Sequence, residues 1–168
     1  MARCEARQRL RVTGRGFHMI AIYAALKAAG LRPTTSRASV LRLFHELPHE
    51  HFTADQVYRK LSREPEPCSL ASVYRALSQL HEADLISSAT LGDARIIYEL
   101  NRGQRHYHLV CNRCGRIQDA YDPGLEQQQA KIAADQHFHY VTSSLVIFGR
   151  CEACEGLPAI PRRLGASG

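Results

Sequence analysis

Apolar residues recur at helical spacing through the first half of the chain. Residues 19–29 are rich in alanine, are followed by Gly30 and predict a first helix. Its apolar positions are Ile20, Tyr23, Ala24 and Leu26. A second helix is predicted between an N-terminal cap at Thr35 or Ser36 and a stop at Pro48. Its apolar positions are Val40, Leu41, Phe44 and Leu47.

Two more helices follow, each with its own N-terminal signal. Thr53 and Gln56 have the spacing of a capping box, which predicts the start of a third helix. Ser69 is a suitable cap for a fourth helix, whose apolar residues form one stripe. The stripe consists of Leu70, Val73, Leu77 and Leu80. The opposite face carries no acidic residue between Ser69 and Gln79, so a polyanion could approach it.

Two β-rich segments, 85–90 and 96–100, follow the fourth helix and are joined by a loop that contains Gly92. Helices followed by a two-stranded wing are typical of a winged helix-turn-helix, in which the fourth helix enters the DNA major groove. We therefore predict a winged-helix DNA-binding domain over residues 19–100.

The second half of the chain changes to a β-rich pattern after a polar hinge at 101–105. The predicted elements are strands at 106–111 and 116–119, a helix at 123–136 and a long strand at 140–149. They form a small α/β dimerisation domain, 106–155, and the fold class is α+β. A domain of about 50 residues buries too little surface to be stable alone, so we expect zinc and a second copy of the long apolar strand to stabilise it.

The two ends fall outside the predicted domains. Residues 1–18 form a basic extension predicted to be disordered, with five arginines and one glutamate in the first 16 residues. The alternative is that Met1 is a misassigned upstream start and that Met19 is the true first residue. Residues 156–168 are predicted to be a disordered tail. The net charge of +6 suits a polyanionic partner but does not identify one.

The composition also indicates the compartment. No apolar run approaches the roughly 18 residues of a membrane span, and the N-terminus lacks the apolar core of a secretory signal. We therefore expect a cytoplasmic protein. In that reducing compartment, paired cysteines more often bind metal than form disulfides.

Four of the six cysteines form two Cys-x-x-Cys pairs: Cys111, Cys114, Cys151 and Cys154. Two such pairs are typical of a closed tetrahedral zinc site. The sequence thus predicts one structural Zn(II) per chain, which would contribute several kcal/mol to folding. A pair of disulfides is the alternative. Cys4 and Cys68 lack partners in the sequence and are expected to be incidental.

A second group of candidate ligands has only nitrogen and oxygen donors: His51, Glu99, His106, His108 and Asp119. His106 and His108 lie two residues apart, on one face of a predicted strand, so both could meet one ion. Such a set suits Fe(II), Mn(II), Co(II) or Zn(II). From spacing alone, separate solvated side chains remain the alternative.

The chain resembles the ferric uptake regulator (Fur) family of bacterial metal-dependent repressors over about residues 24–155. The similarity rests on residues 25–32, Arg37, residues 53–58, residues 71–77 and the His-x-His-x-x-Cys-x-x-Cys-Gly run at 106–115. It implies a regulatory divalent metal at His51, Glu99, His106 and His108, completed by Asp119, and structural zinc at the four cysteines. It also implies a homodimeric repressor of an A·T-rich inverted repeat in double-stranded DNA, with no catalysis and no small-molecule substrate.

The same resemblance implies a set of DNA contacts. Tyr74 would pack on thymine methyl groups and Arg75 would bind a phosphate or a base edge, with packing of Tyr74 in its own domain as the alternative. Arg32 would enter a narrow minor groove, and Arg37 would bind a phosphate. The remaining groove residues would be Ser69, Ala71 and Ser72.

Departures from the family pattern narrow the metal chemistry. Many members carry a third metal site, but three of the matching positions here hold Arg105, Tyr107 and Ser143, and only Glu126 remains as a ligand, which predicts no third site. Zinc-responsive relatives place a cysteine where this chain has Glu99, and nickel-responsive relatives use a cluster richer in histidine. Glu99 matches iron regulators, whereas Asp119 matches peroxide sensors. We predict Fe(II) as co-repressor at iron-uptake genes, with a peroxide-responsive regulator using Fe(II) or Mn(II) as the alternative and Zn(II) as another regulatory metal.

Two functions outside the family are less well supported by the sequence. A zinc-dependent deaminase would pair His-x-Glu with Pro-Cys-x-x-Cys, but this chain has His-x-His and no proline before Cys111. A zinc-ribbon interaction module that binds no DNA is the other alternative.

Overall fold

The computed structural model describes residues 15–92 and 95–156, with side chains from Met19 onward. The chain divides into two compact units, Met1–Arg102 (unit 1) and Gly103–Gly168 (unit 2). Their boundary lies inside the segment predicted as a hinge. The helices are α1 (Arg15–Ala28), α2 (Thr35–Glu46), α3 (Ala54–Leu61), α4 (Leu70–Glu82) and α5 (Pro123–Asp135). The strands are β1 (Ile86–Leu91), β2 (Arg95–Leu100), β3 (Tyr107–Cys111), β4 (Ile117–Ala120) and β5 (Val146–Gly149), and a 3₁₀ turn covers Glu152–Cys154.

Helix α1 differs from its prediction in its first residue and in the face that it buries. It begins at Arg15, so residues 15–18 are helical and the prediction of disorder for them is wrong. Its buried residues are Ile22 and Leu26, whereas Ile20 is exposed. Residues 1–14 and 157–168 lie outside the described part of the chain, so the predictions for them stay untested.

The caps of the next helices follow from local hydrogen bonds. Thr34 Oγ1 accepts from the Arg37 amide at 3.4 Å, so the cap of α2 is Thr34 and not Thr35 or Ser36. The predicted capping box of α3 is confirmed, with reciprocal bonds between Thr53 and Gln56. Ser69 caps α4, as predicted, by accepting from the Ser72 amide.

The buried stripe of α4 is one turn shorter than predicted. Val73, Leu77 and Leu80 are fully buried in the core of unit 1, but Leu70 is 41% exposed. Leu70 is the first residue of the helix, and that end extends beyond the core. Ala76 is buried in addition. Because the stripe fixes the rotation of α4, its polar side faces away from the core.

A two-stranded wing completes unit 1. Strands β1 and β2 pair antiparallel, with Ser87 opposite Glu99. The loop before α3 is attached to β2 by two backbone hydrogen bonds between Phe52 and Tyr98, at 2.9 and 2.8 Å. This attachment positions His51, the neighbour of Phe52. No helix in the described residues is both long and apolar enough to cross a bilayer.

Unit 2 is a three-stranded sheet in the order β4-β3-β5, with helix α5. Strand β3 pairs antiparallel with β4 and parallel with β5. The predicted long strand is shortened to residues 146–149, because residues 140–145 form no regular structure. Unit 2 buries little in a single chain: its buried residues, among those described, are Tyr107, His108, Val110, Cys111 and Cys154.

Candidate metal centres and nucleic-acid interface

The four cysteines of the two Cys-x-x-Cys pairs converge in unit 2. All four sulfur atoms lie within 4.8 Å of one another, and Cys114 Sγ is 3.7 Å from Cys151 Sγ. Four Zn–S bonds of about 2.3 Å in a tetrahedron place the sulfur atoms about 3.8 Å apart. The thiol cluster therefore has the spacing of a closed zinc site.

The parallel pairing of β3 and β5 explains this convergence. Cys111 ends β3 and lies in register with Gly149, which ends β5, so both cysteine pairs leave the sheet at one edge. The amide of Cys151 donates to Cys111 Sγ at 3.4 Å. Gly115, at a φ of +75°, lets its amide return to the Cys111 carbonyl at 2.9 Å and closes the first turn.

The thiols of this cluster ionise unequally. Backbone hydrogen bonds, from Cys114 first, lower the pKa of Cys111 to about 5. Burial and hydrogen bonds among the thiols raise the pKa of Cys154 to about 12. One thiolate therefore forms readily, and further negative charge is opposed. A bound dication would remove that opposition, so the donor set fits structural zinc.

Unit 1 contributes an imidazole and a carboxylate at one place. His51 Nε2 lies 3.1 Å from Glu99 Oε2, and the two side chains are only 4% and 9% exposed. The hydrogen bonds between Phe52 and Tyr98 create this contact, because His51 and Glu99 are the adjacent residues of the two segments. A buried carboxylate is costly without compensating charge, and His51 Nε2 lies close enough to share a bound cation with it.

Unit 2 brings together the other three predicted nitrogen and oxygen ligands. His108 and Asp119 are opposite each other in the β3–β4 register, and one ligand atom from each of His106, His108 and Asp119 lies within 4.8 Å of the other two. His106 Nδ1 is 3.1 Å from the Gln104 carbonyl oxygen. Since a carbonyl only accepts, Nδ1 carries the proton and Nε2 carries the lone pair that can bind a metal.

The outward face of α4 has the composition predicted for a DNA-reading surface. Ser69, Ala71 and Arg75 are exposed, and Tyr74 is 50% exposed. Arg75 Nη2 donates to Ser72 Oγ at 3.2 Å. About half of the Tyr74 side chain is therefore accessible from solvent.

Arg32 and Arg37 lie at the start of α2. Arg32 is exposed in the loop before the helix, and Arg37 lies in the first turn. Arg37 Nη1 donates to the Arg32 carbonyl at 2.5 Å, and Arg37 Nε donates to Gln79 Oε1 on α4 at 2.8 Å. No local sequence pattern predicts the bond between Arg37 and Gln79, because the two residues are 42 positions apart in the chain.

The positions that match a third metal site hold a salt bridge. Arg105 Nη1 donates to Glu126 Oε1 at 2.8 Å, and Arg105 Nη2 donates to the Val141 carbonyl at 2.9 Å. The guanidinium also lies 5.7 Å from the centre of the Tyr140 ring. A metal ion at Glu126 would have to displace this guanidinium. The absence of a third site stays a prediction.

Comparison with known proteins decides the family. The model of the ferric uptake regulator family matches residues 28–148. The chain belongs to the ferric uptake regulator family. Members of this family are metal-dependent transcription regulators. The resemblance inferred from sequence motifs is therefore confirmed, as is the α+β fold with an N-terminal winged helix.

Individual Fur proteins are similar over nearly their whole length. The ferric uptake regulation protein of Cupriavidus metallidurans is 38% identical over 140 residues, 83% of this chain and 97% of that protein. The Francisella tularensis ferric uptake regulator, solved with iron, aligns with a TM-score of 0.69 at 34% identity and covers 74% of this chain and 95% of its own. The Vibrio cholerae Fur, whose structure is described as revealing rearranged DNA-binding domains, aligns with a TM-score of 0.68 at 33% identity and covers 77% and 98%.

Proposed function

We propose that this Fur-family protein is a homodimeric repressor that binds an A·T-rich inverted repeat with Fe(II) as co-repressor and controls iron-uptake genes. The observation that carries this proposal is the ligand chemistry of the two units. Each unit presents imidazole and carboxylate groups, and neither set includes a thiol. Such donors suit Fe(II) and Mn(II) better than a thiolate-preferring metal.

We infer that His51, Glu99, His106, His108 and Asp119 bind one regulatory ion. The three ligands of unit 2 are two imidazoles and one carboxylate, a set that binds Fe(II) and leaves coordination positions open. His51 and Glu99 of unit 1 would fill two of those positions. Glu99 and His106 are seven residues apart, so a fully extended chain would separate them by at most about 25 Å. Ligands from both units on one ion would restrict the angle between the units, and DNA affinity would then depend on the metal.

The four-cysteine cluster has the separate role of stabilising unit 2. Its sulfur spacing fits one tetrahedral Zn(II) held by Cys111, Cys114, Cys151 and Cys154. All four places are then filled by protein, as in zinc sites that hold structure and do not sense a ligand. The regulatory metal would bind to nitrogen and oxygen atoms, and its loss would weaken DNA binding. The structural metal would bind to sulfur atoms, and its loss would destabilise unit 2.

The dimer would form through unit 2. Strand β5 is at an edge of the sheet, and no residue of α5, which is described in full, is buried within the single chain. Exposed apolar side chains accompany this strand and helix: Ile132, Phe138, Val141, Ile147 and Phe148. An exposed edge with apolar residues is a surface that a second copy can cover by pairing strand to strand.

Arg75→Ala is expected to weaken binding of the metal-loaded protein to duplex DNA by about 1–3 kcal/mol per contact, because it removes a guanidinium from the face of α4. Fluorescence anisotropy with a labelled A·T-rich inverted repeat measures the loss. Arg116→Ala, an exposed arginine of unit 2, is the matched control. Unchanged DNA binding by Arg75→Ala would contradict the recognition-helix assignment. Absence of DNA binding by the wild-type protein with every metal tested would favour a zinc-ribbon module.

Metal and peroxide treatment distinguishes the iron regulator from the peroxide sensor. We expect anaerobic DNA binding with Fe(II) and with Mn(II), and recovery of the Fe(II) form after trace peroxide once fresh Fe(II) is supplied. A peroxide sensor is the second candidate function, because peroxide-sensing members of the family have an aspartate at the position of Asp119. Permanent loss of the Fe(II) form, with survival of the Mn(II) form, would establish peroxide sensing instead.

A further inference from the structure

The outward face of α4 fixes two guanidinium groups through uncharged acceptors. Arg75, on α4 itself, donates to the hydroxyl of Ser72 at 3.2 Å. Arg37, on α2, donates through Nε to the amide oxygen of Gln79 at 2.8 Å. Gln79 follows Arg75 by one helical turn, so the two cations occupy successive turns of one face.

Arg37 connects three parts of unit 1. Its Nε binds Gln79 on α4, and its Nη1 binds the Arg32 carbonyl in the loop before α2. Both acceptors are neutral, so the guanidinium keeps its full positive charge. Within the described residues these bonds use Nε and Nη1, and Nη2 is available as a further donor.

Arg42, five residues farther along α2, shows the opposite arrangement. Its guanidinium binds the carboxylates of Glu46 and Glu64, each at 3.1 Å. That charge is compensated within the protein, as is usual where an arginine serves stability. An arginine bound to carboxylates therefore serves stability, whereas an arginine bound to neutral acceptors can still bind an external anion.

We propose that Gln79 is a positioning residue for phosphate recognition. Its neutral side chain holds the Arg37 guanidinium beside the DNA-reading face of α4 and leaves the positive charge for a DNA phosphate. A glutamate of nearly the same size would hold the guanidinium more tightly and would cancel its charge. This inference rests on the proposed DNA-binding function and adds Gln79 to the residues of that surface.

Gln79→Glu is the decisive variant. It is expected to unfold at the wild-type temperature or higher, because a charge-assisted bond replaces a neutral one. Its DNA affinity is nevertheless expected to fall on the order of tenfold per protomer, through loss of one phosphate contact. The slope of log affinity against log salt should decrease by about 0.9 for each protomer.

Gln79→Met separates positioning from simple stability. It removes the acceptor, keeps the approximate size and leaves the Arg37 charge intact. If Gln79 positions a phosphate-binding cation, DNA affinity should rank wild type, then Gln79→Met, then Gln79→Glu, although Gln79→Glu is the more stable variant. Gln127→Glu, which adds the same charge at an exposed position of α5 on the side of the helix away from Ile132, should bind DNA like wild type.

The experiment is anisotropy of labelled operator duplex at several salt concentrations, with thermal unfolding of each variant. Wild-type affinity and salt slope in Gln79→Glu would overturn the positioning role while leaving the proposed function intact. A ranking that follows thermal stability would overturn it too. Absence of DNA binding by the wild-type protein with every metal tested would overturn the proposed function and this role with it.

Discussion

Cys151→Ser is expected to lose the zinc ion, the dimer and the fold of unit 2 together. Among the described residues, the buried hydrophobic cluster lies entirely in unit 1. Over residues 103–156, unit 2 buries few side chains, and two of them, Cys111 and Cys154, belong to the thiol cluster. With so little apolar burial, most of the free energy of folding of unit 2 must come from the metal and the second copy.

The position of Cys151 explains why one thiol has so large an effect. Cys151 follows β5 by two residues, and its amide donates to Cys111 Sγ at the end of β3. The zinc ion would therefore hold the edge strand to the rest of the sheet. Structural zinc contributes on the order of 10 kcal/mol in small zinc domains, more than the stability expected of such a unit.

The measurements are zinc content after dialysis, sedimentation velocity and two-dimensional NMR of unit 2 amides. Wild-type protein should retain about one zinc per chain. Cys68→Ala is the matched control, because Cys68 is a buried thiol of unit 1 outside the cluster. A dimeric Cys151→Ser protein with wild-type zinc would show that the cluster does not hold structural metal.

His106→Ala is expected to abolish metal-dependent DNA binding while leaving zinc and the dimer unchanged. His106 lies near Asp119 and His108 and is only partly buried, so its removal leaves no large cavity. The bond from its Nδ1 to the Gln104 carbonyl fixes the ring for binding through Nε2. Loss of a direct ligand should cost more than the roughly 10–100-fold in metal affinity that loss of an orienting partner costs.

Titration of Mn(II) in the presence of labelled operator measures this effect without oxidation of the metal. His139→Ala is the matched control, since His139 is an exposed histidine of unit 2 outside the predicted ligands. Equal Mn(II) dependence in His106→Ala and wild type would contradict the regulatory assignment. If His106→Ala also lost its zinc and its dimer, as expected for Cys151→Ser, the division into a regulatory and a structural metal would be wrong.

The sequence determined the features that depend on near neighbours along the chain. The capping box at Thr53 and Gln56 and the cap at Ser69 predict helix starts that the structure reproduces, because each cap needs only three or four consecutive residues. The two Cys-x-x-Cys pairs likewise predict metal ligands, since each pair folds around its own turn, and the structure brings all four sulfur atoms together. Motif similarity added the family, which the comparison confirmed.

Tertiary structure decided the features that join distant segments. The backbone bonds between Phe52 and Tyr98 place His51 beside Glu99, and the parallel pairing of β5 with β3 brings the cysteine pairs to one edge. The contact of Arg37 with Gln79 is of the same kind. Strand register and helix contact depend on how a whole unit packs, so the same local pattern is compatible with several arrangements and only the folded chain selects one.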